Sequence, residues 1–382
     1  MKVAILHEML VKFGWAEKVV QTFQKMYPDA DLYTLIYDEK SMWEFFPPDK
    51  VTTTKITQRV FKILKNQRFC LPFMSRAVES LDFSEYDLVI CSSSAFAHWA
   101  ITKPECKFVV YCHAPARYMW DWTNEYKAEL WIWKNIKWNI LWFFLNRLFL
   151  QLRVWDYMAS KRPDITLANS SNTQSRITKY HRKDSIVLYP PIETSRFQKE
   201  ISTDIFTQQN SKYSIWKNNY YIIISALTEF KRLDIAIKWF NNLDQKLVII
   251  WAWDYKAELQ KLVESENIIF TWPQYWDDLV SLVQNSLWLI FPWEEDFWMV
   301  PVEALAAGKP VFALSKWWLL ETVTAWITWE FFDDVEGDDF ATKFKSFHSN
   351  NLEQKYKAEN CIKKAEEFSE ESFEKKFKEI IR

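Results

Sequence analysis

Glycine is almost missing from this chain: 382 residues contain 3. An ordinary chain carries glycine at about 7%. Cysteine is also sparse. The five cysteines show no paired metal spacing, and "YCHAP" (Tyr111–Pro115) sets one Cys beside one His, which is not a zinc signature. Reduced thiols in a cytosolic chain are the expectation. No run of about 18 uninterrupted apolar residues occurs, so no transmembrane helix is expected. The net charge of −2 lacks the basic excess of a nucleic-acid binder. The N-terminal "MKVAILHEML" has one lysine, a short apolar run and no small-residue cleavage site, and reads as a first strand rather than a signal peptide.

Tryptophan is in excess: the chain has 23. Together with glycine they come close to the usual share of glycine alone. Their positions agree with that arithmetic. "FGWAEKVV" places Trp15 at a helix start, "IIWAWDY" ends a strand in indoles, and "LSKWWLLETV" sets Trp317 and Trp318 between a strand and a helix. Such turns need positive φ or close backbone approach, which glycine meets at no steric cost. The pattern implies that many of these tryptophans are glycines in the native protein, from UGA codons read as Trp. The bland reading is a Trp-rich protein with large aromatic surfaces. Trp120 in "RYMWD" and Trp155 in "LRVWDYM" read as native tryptophans.

Strand-like and helix-like patterns alternate. "KVAIL", "ADLYTLIY", "YDLVICSSS", "KFVVYCHAP", "DITLA" and "SIVLY" read as strands in the first half. A polar stretch, Thr194 to Asn219, reads as an interdomain connection. The alternation restarts with "YYIIISAL", "KLVIIWAW", "NIIFTW", "LWLIFPW" and "PVFALS". Short apolar strands separated by helices predict parallel sheets covered by helices. The expected fold is α/β, with two facing Rossmann-like, doubly wound domains around a central cleft. The expected boundaries are 1–195 for the first domain, 196–365 for the second, and 366–382 for a terminal helix crossing back. In such sheets ligands bind beyond the carboxyl ends of the strands. A basic, aromatic segment, Ile136 to Trp155, fits a core or cleft-wall helix, with a membrane-surface helix as the alternative.

The chemistry concentrates in "FPWEEDFWMVPVEALAAGKPV" (Phe291–Val311). Glu295 lies after a strand. Pro301 suits a first helical turn, and Glu303 falls in that turn. The intervening loop, Asp296 to Val300, presents backbone N–H groups at a helix start, an anion site suited to a diphosphate. On spacing alone, two such carboxylates more often mean a helix-start charge and an exposed one.

The whole phrase, with Gly at 293 and 298, resembles the donor-binding signature of the family 4 retaining glycosyltransferases: a Glu-x7-Glu element followed by "ALAAGKPV". "HEMLVKFGWAEKV" resembles that family's N-terminal glycine loop, "YCHAPARYMWD" its acceptor-side histidine motif, and "SALTEFKRLDIAI" its phosphate-binding entry to the second domain. "WWLLETVTAWITWEFF" resembles its sugar-proximal loop. The mannosyltransferase-like subgroup of surface-polysaccharide enzymes is the narrower resemblance.

The resemblance implies a GT-B fold and a retaining transfer without catalytic metal or cofactor. The donor is a nucleotide-diphosphate hexose (GDP-mannose first, UDP-hexoses next), and the acceptor a glycan or lipid-linked sugar at the cytoplasmic membrane face. His113, Lys231 and Glu295 are the expected catalytic residues. Gly14, Trp15, Arg232, Phe297, Trp298, Met299, Val300 and Glu303 are expected at the donor. Lys231, with Arg232, would offset charge on the departing diphosphate. Glu303 would take the ribose hydroxyls, and Glu295 the donor sugar. One departure concerns Ala226, where the family commonly has Arg. Two alternatives stand beside this reading: a hydrolysing nucleotide-sugar epimerase of the same architecture, and a non-catalytic sugar-binding or scaffold protein.

Overall fold

A computed structural model describes residues 1–121, 123, 139–227, 231–252, 256–271, 274, 276–293, 299–315, 328–332, 343–346, 348 and 356–382, with the side chains at 139–145, 226, 251–252, 256–257, 276 and 329–330 left aside. It divides into two compact units, Met1–Pro190 with Glu374–Arg382, and Pro191–Phe373. The sequence pattern put the boundaries after residues 195 and 365.

The first unit is built on a seven-stranded parallel sheet: β1 (Val3–Leu10), β2 (Asp31–Tyr37), β3 (Val51–Thr53), β4 (Leu88–Ser93), β5 (Lys107–Cys112), β6 (Ile165–Ala168) and β7 (Ile186–Val187). Their order is β3-β2-β1-β4-β5-β6-β7. The strands are apolar on both faces because helices cover both sides of a parallel sheet. In β4 all six side chains are buried. β3, a short edge strand, carries no apolar run and was not visible in the pattern.

Chain order along the sheet reverses between β1 and β4. The two crossovers leave in opposite directions there, opening a crevice at the carboxyl ends. α1 (Trp15–Met26) starts beside it, with Gly14 as its N-cap residue and Val19, Val20 and Phe23 turned to the core. α2 (Asn139–Ala159) and α3 (Ser171–His181) cover the later strands, and Ser170 caps α3 by accepting the Thr173 N–H. That cap satisfies one of the donors left over at a helix start.

The second unit repeats the design with six parallel strands: β8 (Tyr220–Ala226), β9 (Lys246–Ala252), β10 (Ile268–Thr271), β11 (Leu289–Phe291), β12 (Val311–Leu314) and β13 (Trp329–Phe332). The order is β10-β9-β8-β11-β12-β13, so the reversal falls between β8 and β11. α4 (Leu233–Phe240) follows β8, and α5 (Met299–Ala306) follows β11. The polar stretch read as a connection instead holds two helices, Thr194–Gln198 and Thr203–Tyr213. Phe197 and Phe206 are buried, which supplies the apolar anchors a mostly polar sequence hid. The last helix, α6 (Glu370–Ile381), contains the Phe373/Glu374 division, and Phe377 packs on Phe23 with ring centroids 5.1 Å apart.

Among the described residues the tryptophan pattern has no positive-φ counterpart. Among the described residues, the side-chain-bearing residues with positive φ are Lys65, Arg182, Ser214, Asn218 and Arg232, and none is tryptophan. Trp15 sits in the first turn of α1, and Trp293 is buried just past β11. At these positions glycine would matter through close approach, not through the sign of φ. Trp298, Trp317 and Trp318 lie outside the described residues.

Candidate active site

In the second unit, the β8/β11 reversal sets Lys231 beside Trp293. Lys231 follows β8 and is 6% exposed. Its Nζ stands 4.8 Å from the ring centroid of Trp293, just after β11. The Trp293 indole is itself buried and lies tilted against Phe291 at 3.8 Å between centroids. Glu303 sits in α5 and is 3% exposed, a carboxylate placed in an otherwise apolar helix. Met299 and Val300 open the same helix, with Met299 buried. Arg232 is the N-cap residue of α4, at φ 46°, and its guanidinium reaches Asp234 at 3.2 Å. That pairing ties Arg232 to its own helix start. Glu295, Phe297 and Trp298 lie outside the described residues.

In the first unit, the β1/β4 reversal gathers a polar group that the sequence pattern only partly indicated. His113 follows β5; its N–H donates to the Ser93 carbonyl at 2.8 Å, and its own carbonyl accepts from the Thr173 hydroxyl at 3.2 Å. Its Nε2 lies 2.8 Å from Ser92 Oγ. Burial, then the neighbouring His7 ring, pushes its pKa down to about 3, so the imidazole is neutral. Gly14 stands beside Glu17: a Cβ at 14 would come 3.2 Å from Glu17 Oε2. Trp15 is 42% exposed, with Lys18 Nζ 4.2 Å over its ring.

Two buried acids went unread in the sequence. Glu8 in β1 accepts the consecutive backbone N–H groups of Ala95, Phe96 and Ala97 and the Ser93 hydroxyl. Asp156 in α2 accepts the indole N–H of Trp99 at 2.9 Å and of Trp120 at 2.8 Å. His181 Nε2 lies 2.9 Å from it and His98 Nε2 3.0 Å. Burial alone would raise the Asp156 pKa. Hydrogen bonds and charge from His181 and His98 outweigh it and hold the carboxyl well below its usual range. The only signal for these acids was a charged residue inside an apolar strand or helix.

Among the described residues, one group has metal-ligand chemistry: His98, Asp156 and His181, whose ligand atoms lie within 4.8 Å of one another. Both carboxylate oxygens already accept indole N–H groups. The arrangement is that of a structural hub linking α2 to α3 and to the turn at Ala97–Trp99.

Comparison with known proteins follows the same lines. Residues 205–368 match the family described as glycosyl transferases group 1. That match covers less than half of the chain. The curated alpha-1,3/1,6-mannosyltransferase ALG2 of Saccharomyces cerevisiae is 26% identical over 212 residues, 44% of this chain and 41% of the yeast protein. The match thus spans less than half the length of that relative. Among solved structures, Anabaena HepE in complex with UDP superposes with a TM-score of 0.70 at 14% identity, covering 100% of this chain and 99% of HepE. WaaG, a glycosyltransferase involved in lipopolysaccharide biosynthesis, gives 0.61 at 15% identity, covering 99% of each chain. These likenesses establish the fold: two Rossmann-like units of the GT-B class.

Proposed function

We propose that this chain is a retaining glycosyltransferase that works without a metal ion. It moves a hexose, mannose being the first candidate, from a GDP- or UDP-linked donor to a glycan or lipid-linked acceptor in surface polysaccharide synthesis. The observation that carries the reading is the group 1 match over residues 205–368, which falls on the unit whose β8/β11 reversal holds Lys231 and Glu303. HepE in complex with UDP-glucose supports a nucleotide-sugar donor, and the yeast mannosyltransferase supports mannose.

The chemistry follows from what each group offers. A departing nucleoside diphosphate gathers negative charge, and Lys231 supplies a fixed positive charge in a site shielded from water. A buried carboxylate such as Glu303 accepts hydrogen bonds and donates none, which suits the paired hydroxyls of a ribose. Glu295, which precedes α5 in the sequence, orients the donor sugar, and neutral His113 hydrogen-bonds a sugar hydroxyl. Among the described residues no helix is long and apolar enough to cross a membrane. Leu150, Val154 and Met158 form an exposed apolar stripe on α2, with Arg147 on the same helix. That stripe supports peripheral contact with the cytoplasmic membrane face, where a lipid-linked acceptor would lie.

The test is a donor panel of GDP-mannose, UDP-glucose and their epimers, incubated with and without a lipid-linked glycan and read by mass spectrometry. Acceptor-dependent release of nucleotide, unchanged by EDTA, is expected. Lys231→Ala should lower the rate by roughly 100-fold or more. Glu303→Ala should mainly raise the KM for donor. Conversion of donor without acceptor would establish the epimerase instead, and full activity in both variants would overturn the site assignment.

A further inference from the structure

His113 is the visible end of a hydrogen-bonded chain that runs back into the sheet. Its Nε2 lies 2.8 Å from Ser92 Oγ, Ser92 Oγ lies 3.0 Å from His7 Nδ1, and His7 Nε2 lies 3.4 Å from Glu17 Oε1. The fold places every member. His7 and Ser92 are register partners on β1 and β4, the strands flanking the reversal. Ser92 also stands opposite Tyr111 on β5, one strand further, and His113 follows that strand. Glu17 comes from the first turn of α1. His7 and Ser92 are 3% and 0% exposed, so water does not compete for these bonds.

Counting protons gives the chain a direction. A serine hydroxyl has one proton, so Ser92 can donate to only one of the two imidazoles. An ionised carboxylate only accepts, so a neutral His7 facing Glu17 carries its proton on Nε2. His7 Nδ1 is then an acceptor, and Ser92 donates to it. Ser92 in turn accepts from His113, which must carry its proton on Nε2. A neutral His113 is left with a bare Nδ1, and among the described residues that nitrogen has no hydrogen-bond partner.

We propose that Glu17, His7 and Ser92 are positioning residues that fix one tautomer of His113, so that its Nδ1 meets substrate as a hydrogen-bond acceptor. The ligand group recognised is therefore a donor hydroxyl of a sugar, not an anionic oxygen, which a bare imidazole nitrogen would repel. Gly14 belongs to the same device. A Cβ there would come 3.2 Å from Glu17 Oε2, which would have to give by a few tenths of an ångström. The step to substrate rests on the glycosyltransferase reading, whereas the tautomer itself does not.

The experiment is long-range nitrogen–proton NMR on the full chain labelled with ¹⁵N-histidine. His113 is assigned by its loss in His113→Asn. The expected spectrum has a protonated Nε2 and a bare Nδ1 on His113. A proton on Nδ1 of His113, or protons on both nitrogens of His7, would reverse the relay and overturn the proposal. Neither result depends on whether the chain transfers a sugar. Glu17→Gln provides a second arm, because a glutamine amide can donate to His7 and turn the chain around. It should move the His113 proton to Nδ1 and lower kcat by roughly 10-fold to 100-fold with little change in donor KM. Glu17→Asp should restore the wild-type tautomer. An unmoved tautomer in Glu17→Gln would refute the relay.

Discussion

Lys231 is covered by Trp293: its ammonium sits 4.8 Å from the indole centroid, and both residues are buried. The face of an indole attracts a cation by about 0.5–2 kcal/mol, the upper end when water is excluded. If Lys231 takes the diphosphate as proposed, the ligand has to displace an aromatic ring. Trp293→Gly should bind UDP or GDP roughly 10-fold more tightly, since about 1.4 kcal/mol is tenfold in affinity. Isothermal titration of both chains measures this. Equal affinity would mean that the indole does not guard the cation.

The same position tests the coding hypothesis. If residue 293 is glycine in the source cell, the gene carries UGA there, and the native peptide has the glycine mass. The same is expected at positions 15, 298, 317 and 318. Peptide masses from native material decide it. UGG codons with tryptophan masses would make the indoles native and move the scaffold reading forward. Stability gives an independent sign. Removing a native buried indole typically costs about 3–5 kcal/mol. A smaller loss in Trp293→Gly would show that the surrounding residues are shaped for a smaller one.

His113 makes a stability prediction with a definite sign. Its folded pKa, pushed down to about 3, lies below the ordinary histidine value. Between those two values the unfolded chain takes up a proton that the folded chain refuses. The contribution to stability is therefore intact above about pH 6.5 and is lost as pH falls toward 3, by about 1.4 kcal/mol for each unit of depression. Urea melts at pH 7, 5 and 4 should show a shallower decline in His113→Asn than in the wild type. Parallel curves would show that His113 titrates as an ordinary histidine.

Asp156 predicts a large loss of a different kind. Its carboxylate joins two indole N–H groups and two imidazoles in a fully buried spot. Asp156→Ala would strand those donors without water, and breaking a buried charged contact of this kind costs about 3–5 kcal/mol. Denaturant melts should show it, together with weaker protection of α2 from hydrogen exchange. Asp156→Asn, which keeps acceptors for some of the donors, should lose less. A near-neutral Asp156→Ala would mean that the hub does not hold α2.

The two candidate neighbourhoods show how far the sequence could reach. Alternating apolar runs and helical spacing are local properties, so β1, β4, β8 and β11 could be read from the chain. Lys231 and Glu303 were nameable from motifs because each lies within a few residues of the strand end or helix start that places it. Thr203–Tyr213 was missed because its helix depends on a few buried anchors in a polar stretch.

What the sequence determined by itself was the order of elements, and with it the α/β class and the candidate motifs. What only the tertiary structure decided was which residues meet across those elements. His7, Ser92 and His113 are far apart in the chain and carry no shared motif. They meet because parallel register sets β1 beside β4 and β4 beside β5. Glu17 joins them because α1 begins at the same end of the sheet. Strand order is settled by burial and hydrogen bonding over the whole sheet. A contact of that kind leaves no trace in local periodicity, which is why His113 was legible and the chain behind it was not.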